Sequence, residues 1–282
     1  MKNEIRIFKV NEEVCMAKFE RHPFVDLMRR YAVNYTACHA IDVCDEIMIP
    51  EYILWMGGHR VAGRDEAYKP AALKQFDQFP NLGFTVHEVI ANGDRLALRF
   101  SEHGASIRHH LRLAVWSGIG LYRWNGERLT ECRVEQDYYS RALQLASGQP
   151  FSVESPAVDP WVIQPVAADS SAEKSARLWL ADSDRRKLSS AVRFDDGSGL
   201  SEQFKFDIDD VIVEDIFSAG DRVAFHVRFN GTYQAGIESC NQAREGVSLF
   251  ATGIVKVENG SVVGGNVVRN RLQLQRDLKA KS

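Results

Sequence analysis

The sequence predicts an α+β fold built as two units, in each of which helices pack on a curved antiparallel sheet. Three observations predict it. Helical periodicity precedes strand-like alternation in the first half, the same order returns in the second half, and a proline-rich segment separates the two. A curved sheet covered by helices encloses a pocket, so this layout also predicts a ligand cavity.

Composition narrows the class of protein. The net charge of −3 and the charged fraction of 26% are ordinary for a globular protein, so neither nucleic acid nor a membrane is expected as a partner. The five cysteines are odd in number and scattered, which fits neither a disulfide framework nor a metal site. No stretch is long and apolar enough to cross a bilayer. These features together predict a cytoplasmic protein.

The first half begins with a helix and then changes period. Apolar residues from Phe24 to Cys38 recur at the spacing of one helix face. A short strand at 52–55 and a second helix, bent or broken at Pro70, follow. Four strands are then predicted at 83–90, 95–102, 113–123 and 128–138, joined in part by the hairpin turns "NGD" and "NGE".

The second half repeats this order after a linker. Residues 146–170 hold four of the eight prolines and divide the chain. A helix with Ser170 or Ser171 as its cap follows, and then strands at 205–217, 222–229, 247–258 and 261–275. We therefore expect a first domain at 1–145 with an N-terminal extension at 1–22, and a second domain at 171–282.

Two sequence matches support an internal duplication. "GDRLALRF" lies over "GDRVAFHV", and "GIGLYRWNGERL" over "ATGIVKVENGSVV", in the same order. The last strand of the second copy carries Arg269 and Arg271 near the positions where the first copy has acids. The second copy is therefore expected to be degenerate, with one working pocket in the first half.

The segments "GFTVHEVIANGDRLALRFSEHGAS" and "WSGIGLYRWNGERLTECRVEQDYYSRALQL" resemble the SnoaL-like polyketide cyclase branch of the nuclear transport factor and ketosteroid isomerase superfamily. The resemblance implies a cone-shaped α+β barrel in each unit and a hydrophobic small-molecule ligand. It also implies cofactor-free aldol closure, with a late-strand Asp as acid/base and a nearby His or amide. Members are typically homodimers packed through their sheets, which implies an intramolecular pseudo-dimer here, with a homodimer of the whole chain as an alternative.

On this resemblance Asp137 is the late-strand acid. The alternative is a solvated or salt-bridged carboxylate facing Arg133 or Arg141. Strand alternation places Glu135 on the same face as Asp137, so alternation cannot choose between them. The opposite face carries Cys132, Val134, Gln136 and Tyr138. If that apolar face lines the pocket, Asp137 points away from it unless a bulge or the strand end resets the register.

Other candidates come from the preceding strands. His103 could hydrogen-bond a developing oxyanion, or could be a surface histidine at a strand end. Glu102 shares a face with Leu96, Leu98 and Phe100, so it is either a second acid/base candidate or part of a frayed strand end. Four aromatic residues could form pocket walls or simply fill the core; they are Tyr35, Trp55, Trp116 and Tyr122.

Two functions follow from these residues. The first is a cofactor-independent enzyme, a cyclase, isomerase or dehydratase acting on a carbonyl-bearing, polyketide-like molecule. The second is a non-catalytic binding or assembly module of the same fold. No nucleotide or flavin motif occurs, so no cofactor is expected. The orientation of Asp137 and Glu135 relative to the pocket distinguishes the two functions.

Overall fold

The computed structural model describes residues 20–182, 186, 191–195 and 203–280. Positions 1–19 of the predicted N-terminal extension, 1–22, therefore lie outside the described residues. So does most of the part of the predicted second-half helix that follows Asp182. Within the described residues the chain forms two sheets with helices packed on them, an α+β fold as predicted.

Sheet 1 has six strands in the order β2-β1-β6-β5-β4-β3. Their bounds are β1 Met48–Met56, β2 His59–Ala62, β3 Gly83–Ala91, β4 Arg95–Ser106, β5 Arg112–Trp124 and β6 Leu129–Gln136. The pairs are antiparallel except β1 with β6, which run parallel. The sheet is open, with β2 and β3 at its edges, so the barrel expected from the resemblance is not closed.

Three helical segments cover sheet 1. Helix α1, Pro23–Arg30, continues as a π-helical segment over Tyr31–Ala37, and α2, Val43–Ile47, follows. Helix α3 spans Lys69–Gln78. A π-helical segment, Arg64–Tyr68, runs directly into α3, so Pro70 lies next to the point where the helical segment changes from π to α winding. The predicted second helix is present, and its regularity changes at the predicted position.

Both predicted final strands are too long, because each ends in a helix. Strand β6 ends at Gln136, and helix α4, Tyr138–Ser147, begins after Asp137, whose side chain accepts from the backbone N–H of Ser140. In the second half the last strand, β11, spans Ser261–Arg269, and the final described helix, α6, spans Arg271–Ala280. "SRALQL" and "NRLQLQ" are made mostly of good helix formers, which accounts for this outcome.

Sheet 2 has five strands in the order β7-β11-β10-β9-β8. They are β7 Val192–Phe194, β8 Lys205–Ala219, β9 Arg222–Ala235, β10 Arg244–Glu258 and β11 Ser261–Arg269. Helix α5, Ser170–Ala181, packs on this sheet. Its N-cap is Asp169, which accepts from the N–H groups of Ser171 and Ala172, so neither of the serines predicted as the cap fills that role.

The two sheets share a detail beyond strand order. The register between β3 and β4 shifts between Val86 and Glu88, and that between β8 and β9 shifts between Val213 and Asp215. The sequence repeat places these two bulges over each other. A bulge at the same position in both copies bends the same strand in the same place.

The sheets pack against each other through an apolar layer. Residues of both sheets form one buried cluster, namely Ile90, Ala97, Ile119, Leu121, Phe217, Ala219, Ala224, Ile254 and Val268. Two ion pairs flank this layer, Arg95 with Asp215 and Arg222 with Glu88. The repeat places Arg95 over Arg222 and Glu88 over Asp215, so the two ion pairs are reciprocal. This is the pattern of a self-complementary, two-fold interface.

The segment between α4 and α5 runs along the edge of sheet 1. The N–H of Ala157 donates to the carbonyl of Val86 at 3.0 Å, and the N–H of Val166 to that of Ala91 at 2.9 Å. No regular strand forms between Gly148 and Asp169. None of the helices in the described part of the chain has the length and apolarity needed to cross a membrane.

Candidate functional site

A cavity of about 300 Å³ lies between sheet 1 and the helices that cover it. Residues 132, 134 and 136 of β6 and 100 and 102 of β4 line it, as the alternation of each strand predicts. The wall is mostly aromatic and aliphatic, and includes Tyr31, Tyr35, Leu54, Met56, Val61, Tyr68, Phe76, Phe84, Phe100, Tyr122 and Val134. Such a wall suits an apolar molecule with few polar groups.

Glu102 is the acid that faces this cavity. Its residue is 5% exposed, and its Oε2 accepts a hydrogen bond from Nε2 of Gln75 on α3 at 2.8 Å. Trp116 lies opposite Glu102 on β5 and donates its Nε1–H to Oε1 of Gln136 at 2.8 Å. The guanidinium of Arg141 stacks 5.0 Å from the Trp116 ring. A carboxyl group and two amides thus face an apolar cavity, and the Arg141 guanidinium lies near them outside the lining.

Burial sets the protonation of Glu102. Loss of water around the carboxylate raises the pKa of Glu102 to about 7, against the opposing effects of Gln75, Arg141 and Trp116. An acid with a pKa near neutrality exists in both protonation states near pH 7, so it can accept a proton and return it.

A group of tyrosines forms a second polar feature of the cavity. The hydroxyls of Tyr31 and Tyr68 are 3.3 Å apart, and the ring of Tyr31 packs edge-on against Tyr122 at 5.5 Å. Burial raises the pKa of Tyr31 well above its usual value, and Tyr68 and Tyr122 shift in the same direction. These hydroxyls therefore stay protonated and can donate hydrogen bonds to an oxygen in the cavity.

The predicted aromatic residues divide into three groups. Tyr35 and Tyr122 line the cavity. Trp116 is fully buried and holds Gln136, which lines it. Trp55 lies on the opposite face of β1 from the lining residues Leu54 and Met56, where the guanidiniums of Arg60 and Arg133 stack on its ring at 5.8 and 5.1 Å. Trp55 is thus not a wall of the cavity.

Asp137 does not face the cavity. It is fully buried between the two sheets, where its Oδ2 lies 2.5 Å from the guanidinium of Arg271 and its Oδ1 caps α4. The predicted salt-bridge partners were Arg133 and Arg141, whereas the observed partner comes from the other copy. β6 ends at Gln136, but this strand end does not turn Asp137 towards the cavity, and the side chain points away from it as alternation along the strand predicts.

Glu135 lies in the same layer between the sheets. Its Oε1 accepts from Nε2 of His226 at 2.8 Å and from the N–H of Gly57 at 2.7 Å, and its Oε2 accepts from Nδ2 of Asn270 at 2.6 Å. Burial lowers the pKa of His226, but Glu135 and Glu214 outweigh that effect and raise it to about 9. Glu135 is therefore held in an ion pair away from the cavity.

His103 is also outside the cavity lining. Strand β4 continues to Ser106, so His103 is not at a strand end, and its ring lies over Gly83 on β3. A Cβ at Gly83 would be 2.3 Å from Nε2 of His103. Alternation along β4 places this imidazole on the face opposite Glu102.

Several lining residues were missed by the sequence reasoning. Gln75 and Phe76 share the inner face of α3 with Ala71 and Ala72, a spacing that is readable from the sequence. Gln136 was placed on the correct strand face but was not weighed as a functional group.

In the described part of the chain, no group of three histidines, cysteines or acids could hold a metal ion.

The family model for the SnoaL-like domain matches residues 28–132, which include Glu102 and most of the cavity lining. Among solved structures the chain is similar to a candidate SnoaL-like polyketide cyclase from Jannaschia sp. CCS1. The two are 19% identical over 46% of this chain and 95% of that chain, with a TM-score of 0.38.

The chain is also similar to IdmH, a candidate polyketide cyclase from Streptomyces antibioticus, at 16% identity over 43% of this chain and 96% of that chain, with a TM-score of 0.39. A protein with a ketosteroid isomerase-like fold from Catenulispora acidiphila DSM 44928, in complex with trimethylamine, is 15% identical over 43% of this chain and 92% of that chain, with a TM-score of 0.38. No functionally curated protein matches the chain.

Proposed function

We propose, from the match of residues 28–132 to the SnoaL-like domain, that this protein is a cofactor-independent acid/base enzyme acting on a hydrophobic, carbonyl-bearing small molecule. The observation that carries the proposal is Glu102, a buried acid that faces an apolar cavity, with a pKa raised to about 7. A purely structural acid in this position would be costly to bury.

In the proposed reaction the Glu102 carboxylate removes a proton from the carbon next to the substrate carbonyl. The electron pair of the broken C–H bond forms the C=C bond of an enolate, the π pair of the carbonyl moves onto its oxygen, and the tyrosine hydroxyls of the cavity stabilise that oxyanion by hydrogen bonding. Where the substrate carries a C=C bond conjugated with the enolate, return of the proton by Glu102 to the far carbon of that system completes an isomerisation. Attack of the enolate on a second carbonyl, with the proton passing to the new alkoxide, completes an aldol closure. Neither route needs an oxidant or a cofactor.

In the described part of the second copy, no acid occupies the position of Glu102. The sequence repeat places Phe229 at the position of Glu102, and Leu249 and Arg269 occupy the positions of Trp116 and Gln136. We therefore propose a single working cavity, in the first copy. The sequence led to the same expectation on other grounds, because the last strand of the second copy carries arginines near the positions where the first copy has acids.

Deuterium exchange into model ketones tests the proposal without a known substrate. NMR in D₂O follows loss of the α-proton signal for a panel of cyclic ketones and 1,3-diketones. We expect exchange by the wild-type protein to rise through pH 7 and level off above it, as Glu102 loses its proton, and Glu102→Gln to reduce it about a hundred- to ten-thousandfold.

Asp137→Asn is the matched control, because it changes a buried acid of the same half that does not face the cavity. Unreduced exchange by folded Glu102→Gln, or no catalysed exchange across the panel together with tight ligand binding, would favour the non-catalytic binding module instead.

A further inference from the structure

We infer that sheet 2 acts as a positioning element for the sheet 1 cavity, because it holds the turn at Gly57 and Gly58 through Glu135. It rests on the proposed function for one premise, that the sheet 1 cavity is the working site. The second copy then contributes to that site, because it sets the position of one cavity wall.

The turn carries part of the cavity wall. Gly57 and Gly58 join β1 to β2, and the residues on either side of them, Met56 and His59, both line the cavity. The residues two positions further along each strand, Leu54 and Val61, line it as well. A shift of this hairpin would therefore change the shape of the cavity directly.

Both amides of the turn are bound by side chains. The N–H of Gly57 donates to Oε1 of Glu135 at 2.7 Å, and the N–H of Gly58 to Oε1 of Gln273 on α6 at 3.3 Å. Gly57 has a φ of +56°, and a Cβ there would be 1.8 Å from Oε1 of Gln273. The turn thus lies directly against a helix of the second copy, and position 57 requires glycine.

Sheet 2 fixes the acceptor of the Gly57 amide. His226 on β9 and Asn270 at the end of β11 bind the two oxygens of Glu135 at 2.8 and 2.6 Å. Nδ1 of His226 in turn lies 3.4 Å from Glu214 on β8. The Glu135 side chain is fully buried, so its orientation depends on these partners.

This cluster breaks the symmetry of an otherwise reciprocal interface. The N–H of Asp137 donates to the carbonyl of Ser117, and the N–H of Asn270 donates to that of Phe250 in the same way. Asn270 is therefore the counterpart of Asp137, and Val268, two residues earlier, is the counterpart of Glu135. The repeat places Arg99 over His226, and Arg99 pairs with Glu154 at 2.7 Å.

Val268 shows that an apolar side chain can fill this position in the interface. A buried ion pair gives little net stability over apolar packing. Valine cannot accept a hydrogen bond from the Gly57 amide, whereas the Glu135 carboxylate does. The carboxylate therefore has a role at the turn.

Amide hydrogen exchange measured by NMR on the full chain tests the inference. We expect Glu135→Val to accelerate exchange of the Gly57 amide about ten- to hundredfold, the range expected for losing a hydrogen bond to a charged acceptor. We also expect weaker binding of the neutral fluorophore N-phenyl-1-naphthylamine in the cavity. Asp215→Asn is the matched control, since it disrupts an inter-sheet ion pair that does not reach the turn, and Gly57 exchange should stay at the wild-type rate.

Gln273→Ala, at a half-buried position of α6, gives a second test of the second copy's hold on the turn if Glu135→Val does not fold, and should accelerate exchange of Gly58. Wild-type exchange rates at both glycines in these variants, or equal acceleration in Asp215→Asn, would overturn the inference. Loss of catalysis in Glu102→Gln is measured separately, so the two proposals can fail independently.

Discussion

Replacing Glu102 with Gln should stabilise the protein at pH 8 and much less at pH 5. The pKa of Glu102 rises from an ordinary value of 4.5 to about 7 in the folded protein, because burial disfavours the carboxylate. Between these two values the folded protein holds a proton that the unfolded chain has lost, so stability falls as the pH rises through this window. The gap between the two pKa values corresponds to about 3 kcal/mol.

Urea unfolding of the wild-type protein and of Glu102→Gln at pH 5 and pH 8 measures this difference. The amide keeps an acceptor for Gln75, so the comparison isolates the charge. We expect the advantage of the Gln variant to grow by about 2 to 3 kcal/mol between the two pH values. Glu127→Gln, in an exposed turn, should show no such growth. A constant difference between wild type and Glu102→Gln would show that the carboxyl is not perturbed, and would remove the main support for it as the base.

Two further predictions concern the layer between the sheets. His226 has a folded pKa of about 9 against an ordinary 6.5, so its ion pair with Glu135 stabilises fully below about pH 6.5 and is lost as the pH rises through 9. Urea midpoints between pH 7 and pH 10 should therefore fall more steeply for wild type than for His226→Phe, and parallel curves would contradict this. Asp137→Asn should lower the free energy of unfolding by about 1.5 to 3 kcal/mol, because Arg271 loses one of two buried carboxylate partners and keeps Asp195, with ketone exchange within twofold of wild type. The opposite pattern, lost exchange at unchanged stability, would return the role of base to Asp137.

The sequence predicted the cavity face but not the layer between the sheets. Alternation along β6 and β4 is a local property of each strand, so it was enough to place Gln136 and Glu102 on the inner face. The partners of Glu135 and Asp137 lie 91 and 134 residues away along the chain. No local pattern specifies such contacts, and the family resemblance favoured Asp137 as the acid. The final strands were overextended because short runs of Arg, Leu and Gln fit both a strand and a helix.

The linker along β3 has a consequence for the behaviour of the protein at high concentration. An edge strand such as β3 offers unpaired backbone groups to any other chain, and this is a common route to aggregation. The linker binds that edge at only two amides, those of Ala157 and Val166, and each directly follows a proline. Proline lacks an N–H and cannot continue a ladder. The linker therefore covers the edge without becoming a seventh strand, and so leaves no new template for polymerisation.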